Sequence, residues 1–146
     1  SHTFLRTKFA HRIAGLAMYQ KTEGYDMLAM TNTLEINPSW PVDFQNRFAA
    51  ICEQYFESGL RPVACTSNVR PEDYAAQLRA ETKTWDTEDH ERAYWMVSEM
   101  KEYGNNVPPL VIVGGDVVDG FYQLRAMELG HIDQWPAILL PAIGEI

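Results

Sequence analysis

Cysteine is scarce in this chain of 146 residues. Only Cys52 and Cys65 are present. They fall in separate segments without C-x-x-C spacing, which argues against a zinc site and provides no disulfide framework. Two free thiols are the expectation in a reducing cell, and only export would favour pairing them. Long apolar runs are also missing. None approaches the ~20 residues needed to cross a bilayer, so no membrane role is expected. Positive charge is in short supply, with 12 Lys and Arg against 20 Asp and Glu, a formal net charge of −8. The bases are scattered along the chain, whereas a protein that tracks a phosphate backbone gathers them on one face. Non-specific DNA binding by this domain alone is therefore disfavoured. There is no repeat, low-complexity tract or linker.

What is present is globular. Hydrophobic residues make up 46% and aromatics 12%. A chain of this length buries roughly 70% of its unfolded surface without staples. One domain spanning residues 1–146 is expected. Ser1-His2 reads as a tag remnant. Residues 3–18 are basic and partly apolar, but Lys8, His11 and Arg12 interrupt the run, which argues against a signal peptide and for a cytoplasmic protein.

Periodicity assigns the elements. Phe9, Ile13, Leu16 and Ala17 share one face of a helix expected over Thr7 to Gln20. Glu23 to Trp40 is poorly periodic and reads mostly as loop. Pro41 suits a first helical turn. Phe44, Phe48, Ile51, Cys52 and Tyr55 then recur at helical spacing, the clearest helix in the chain, and Gly59 ends it. Pro62 to Cys65 reads as a short strand. Arg70 to Asp73 opens a helix with Tyr74 and Leu78 inward. Thr87-Glu88-Asp89 caps a helix running to Tyr103.

The stretch from Val107 to Leu140 is the most informative. Val107-Pro108-Pro109 cannot be helical. Leu110 to Val113 suits a buried strand, Gly114-Gly115-Asp116 a tight reversal, and Val117-Val118 a returning strand. Asp119 is the expected N-cap of a helix from Gly120 or Phe121, with Phe121, Leu124 and Met127 or Glu128 on one side. Gly130 is the expected left-handed residue after that helix. Trp135 to Leu140 reads as another strand, ended by Pro141.

This order and spacing resembles the ParB/sulfiredoxin-like superfamily. The carrying residues are Val117-Val118-Asp119-Gly120, the segment Phe121 to Gly130, and Trp135 to Leu139. Upstream, a helix ending at Gly104 precedes Pro109 to Val113. The resemblance spans residues 60–141. It implies an α+β (mixed α/β) fold, a small mixed sheet with surrounding helices, with residues 3–59 as a mainly helical addition. It also implies a nucleotide-phosphate site at Asp119, Gly120, Phe121, Tyr122, Gln123 and Arg125, with ATP or CTP and magnesium as the cofactors. Asp116 and Asp119 are weak magnesium candidates. The departures are specific. Active members carry basic or histidine side chains where this chain has Phe121, Tyr122 and Gln123, and sulfiredoxins place a cysteine nucleophile at the first. Arg125 matches a retained arginine. A helix N-terminus still favours an anion.

Other chemistry is thin. His90 and Glu91, with Asp86, Glu88 and Asp89, could bind a metal, but an acidic first helical turn explains them. His131 and Asp133 could form an acid–base pair, or be ordinary loop residues. Trp85, Tyr94 and Trp95 could stack a base; core packing is the expected role. Two function classes result. The first is a non-catalytic or weakly active accessory or regulatory protein that binds another protein, of the kind carried by plasmids, phages and inter-bacterial competition systems. The second is a nucleotide-dependent hydrolase, kinase or nuclease.

Overall fold

The computed structural model describes residues 17–20, 38–59 and 63–145. Five strands form one mixed sheet: β1 (Ala17–Gln20), β2 (Val63–Val69), β3 (Leu110–Val113), β4 (Asp116–Asp119) and β5 (Trp135–Leu140), in the order β1-β2-β5-β3-β4. The β1/β2 and β3/β5 pairs are parallel, and β2/β5 and β3/β4 antiparallel. The helices are α1 (Val42–Glu57), α2 (Ala75–Thr82), α3 (Thr87–Glu102) and α4 (Phe121–Gly130). This is the expected α+β class.

The sheet divides two cores. On one face, Phe44, Phe48, Cys52 and Tyr55 of α1 pack on Ala64, Val111, Ile138 and Leu140. On the other, Leu78 of α2, Met100 of α3 and Leu124, Ala126 and Met127 of α4 pack on Val69, Leu110, Ile112, Val117 and Ala137. β3 shows why its sequence is a continuous apolar run. Successive residues feed opposite layers, and both layers are apolar. The i, i+4, i+8 rhythm of α1 matches its single buried stripe. Phe44 and Phe48 stack at 6.0 Å, and the Tyr55 hydroxyl donates to the Pro141 carbonyl at 2.5 Å, tying α1 to the end of β5.

Three expectations change here. Residues 17–20, expected to end a helix, form β1 instead, because pairing with β2 outweighs a weak helical rhythm; Thr7 to Leu16 lies outside the described residues. The N-cap of α3 is Asp86, whose carboxylate accepts from the Asp89 amide while Asp89 accepts from the Asp86 amide, a reciprocal capping box. Gly130 is the last helical residue of α4, and the left-handed residue after it is His131, at φ 53°. Gly130 has a packing role instead: a Cβ there would lie 2.6 Å from a Val97 methyl of α3.

The edge strand β4 is covered by a side chain. Gln77 of α2 accepts from the Val117 amide at 2.7 Å and donates to the Gly115 carbonyl at 3.0 Å, as a neighbouring strand would. Gln77→Ala is expected to cost about 1–2 kcal/mol in urea unfolding. Gln77→Glu keeps the acceptor but sets a carboxylate against the Gly115 carbonyl, so it should recover only part of the loss. Wild-type stability in both variants would show that water replaces the amide without penalty.

Candidate functional site

The strand–glycine–helix junction forms as the sequence order requires. β4 ends at Asp119, Gly120 turns the chain at φ 109°, and α4 begins at Phe121. The side chains do not do what was expected of them. Asp119 does not cap α4. No side chain does, and the N-cap is Gly120 itself. Asp119 instead accepts from Arg47 of α1, at 2.5 Å from Nε and 3.3 Å from Nη2. The Asp119 side chain is 10% exposed and the Arg47 side chain 54%.

A β-bulge causes this. Ile112 pairs with Val117, but Val111 pairs with Asp119, so Val118 is the extra residue. In a regular ladder Val118 would oppose Val111. The bulge puts Asp119 there, on the α1 face of the sheet, and leaves Val118 exposed. Arg47 is on α1 and meets it there.

The next three positions are also engaged. Phe121 is half-buried against the α4-side core. The Tyr122 hydroxyl donates to Asp89 at 2.6 Å. That hydrogen bond holds the Asp89 carboxyl below its ordinary range and raises the Tyr122 phenol. Trp85 packs on the Tyr122 ring at 5.2 Å, and the Arg92 guanidinium sits 5.4 Å from its centroid. Gln123 is buried, 4% exposed, and donates to the Pro108 carbonyl at 3.4 Å, which also accepts from the Trp135 indole at 3.1 Å. Arg125 is paired with Glu128 at 2.9 Å.

The candidate residues are therefore contiguous in the chain but diverge in space. Asp119 faces α1, Tyr122 faces the start of α3, Gln123 faces the interior, and Arg125 serves its own helix. Asp116 is exposed at the hairpin turn. Among the described residues no three His, Cys, Asp or Glu side chains are grouped to hold a metal ion. Of the residues around His90, Asp86 and Asp89 form the capping box and His90 itself packs on Trp85, and no hydrogen bond or ion pair joins His131 to Asp133. The Cys52 thiol is buried, and burial pushes it up to about 12. No described helix is long and apolar enough to cross a membrane.

Two features were missed from the sequence. Arg47 carried no local signal, because its partner lies 72 residues away. Tyr94 and Trp95, expected in the core, are 66% and 65% exposed. Their positions were legible: Ala93, Val97 and Met100 define the inward stripe of α3, which places Trp95 on the opposite side. Trp95 lines an open groove of about 420 Å³ with Glu88, Glu91, Arg92, Met96 and Glu99.

Comparisons with protein-family models, curated proteins and solved structures returned no match to this chain.

Proposed function

We propose that this chain is a non-catalytic accessory or regulatory protein that acts by binding another protein. The observation that carries this reading is the engagement of every polar candidate side chain in an internal contact. Asp119 is held by Arg47, Tyr122 by Asp89, Gln123 lies inside and Arg125 is paired with Glu128. A triphosphate must exchange its water and counterions for several charged donors, and of these four only Arg125 carries one, already paired with Glu128. The exposed Tyr94 and Trp95 add a surface of the composition that protein interfaces favour. The ParB/sulfiredoxin-like resemblance belongs to this proposal, as does its setting in a plasmid, phage or inter-bacterial competition system.

The rival reading is a nucleotide-dependent enzyme using ATP or CTP with magnesium. One observation favours it: α4 has no side-chain cap, so its first amides remain available to an anion. Calorimetric titration of ATP and CTP, with and without magnesium, separates the two. Affinity no better than millimolar and no hydrolysis are expected. Each missing charged hydrogen bond forgoes roughly 1.5–3 kcal/mol, so two together weaken binding by roughly two to four decades. Micromolar affinity that is lost in Arg47→Ala or Arg125→Ala would establish the enzyme reading instead.

A further inference from the structure

We propose that the exposed face of α3 centred on Trp95 docks an arginine-rich segment of a partner protein. The proposal rests on the protein-binding reading above and names the chemistry of the partner.

The helix spacing makes the face. Glu91 and Glu99 lie one turn on either side of Trp95, and Glu88 and Glu102 two turns away, all on the same side. All four are exposed, and none has an ion-pair partner among the described residues. The one base in the groove, Arg92, is already placed over the Tyr122 ring. Glu88 with Glu91, and Glu99 with Glu102, are like-charge pairs at i, i+3, an arrangement that destabilises a helix on its own. A cationic partner relieves that repulsion.

Trp95 decides which cation. The residue is 65% exposed, Tyr94 stands beside it with ring centroids 6.0 Å apart, and Met96 supplies an apolar wall. A guanidinium stacks on an indole while its fork engages a carboxylate, whereas an ammonium does only one of these well. The groove is open, so it suits side chains of a segment laid along the helix and does not enclose a small molecule. A second copy using the same patch would set this acidic stripe against itself, and nucleic acid would meet the same repulsion.

Fluorescence anisotropy of a labelled arginine-rich peptide tests this, with the same peptide carrying glutamate at every arginine as control. Saturable, salt-sensitive binding of the arginine peptide alone is expected. Trp95→Ala should weaken it about tenfold. Glu91→Lys with Glu99→Lys should abolish it. Glu57→Lys with Asp133→Lys, exposed positions outside this groove, changes net charge equally and should leave most of the affinity. Circular dichroism checks that the variants fold; Trp95→Ala, a single exposed truncation, remains informative if the double variant does not. No saturable binding, equal binding of the glutamate peptide, indifference to Trp95→Ala, or equal loss in both charge-reversed pairs would each overturn the proposal. ATP and CTP titration is a separate readout, so nucleotide binding would overturn the non-catalytic reading without bearing on the groove.

Discussion

Gly120→Ala is expected to lower stability by about 2–6 kcal/mol, the sum of roughly 1–3 for backbone strain and 1–3 for overpacking. Gly120 stands at φ 109°, a conformation that L side chains rarely adopt. A Cβ there would meet the Leu110 Cα and Cγ at 3.1 Å. Leu110 is fully buried on β3 between β4 and β5, so it cannot move aside without disturbing the sheet. Gly115→Ala is the control. Gly115 also has positive φ, at 84°, but a Cβ there would meet nothing within 4 Å. It should lose only the backbone part, about 1–2 kcal/mol. Denaturant unfolding of both variants isolates the close approach to Leu110. Equal losses would mean that this contact yields freely, and that Gly120 is required for its dihedral angles alone.

Gln123→Arg should be destabilising by several kcal/mol, because it forces a guanidinium into an interior site where the amide now meets a single backbone carbonyl. The expectation matters because the resemblance places a basic residue here in active relatives. Gln123 is buried next to Leu124 and Met127, and its amide reaches only the Pro108 carbonyl. An arginine at this position would be no phosphate ligand unless α4 turned about its axis. Gln123→Met is the informative companion. It removes one long hydrogen bond, and Pro108 keeps the Trp135 indole as donor. Its cost should stay below about 1 kcal/mol. If Gln123→Arg kept wild-type stability and gained micromolar affinity for ATP or CTP, the side chain would have reached the surface, and the occupied junction would have to be reread as an open site.

Both predictions turn on the same few residues, and these show how far the sequence could be read. Strand, Asp-Gly and helix followed from β-branched runs, turn residues and a 3.6-residue rhythm. These are properties of neighbouring residues, so they survive in one dimension. The buried faces of α1 and β3 followed in the same way, and on α4 Leu124 and Met127 did. The role of Asp119 did not. A carboxylate just ahead of a helix start is a good cap by local rules, and only the bulge at Val118 turns it toward α1. Trp95 is a different kind of miss. The inward stripe through Ala93, Val97 and Met100 was present in the sequence, but the bulk of tryptophan argued for the core against the spacing.

By itself the sequence determined where the helices lie among residues 38–145, where most strands lie, that the sheet is buried on both faces at β3, and that no charged row follows Gly120. The tertiary structure alone decided that residues 17–20 join the sheet, that Arg47 takes Asp119 from its cap position, and that Tyr122 and Gln123 turn away from a shared pocket. The physical reason is range. Periodicity and turn chemistry act over a few residues, whereas a strand partner, a bulge register and an ion pair 72 residues apart are chosen by which surfaces meet once the layers have packed.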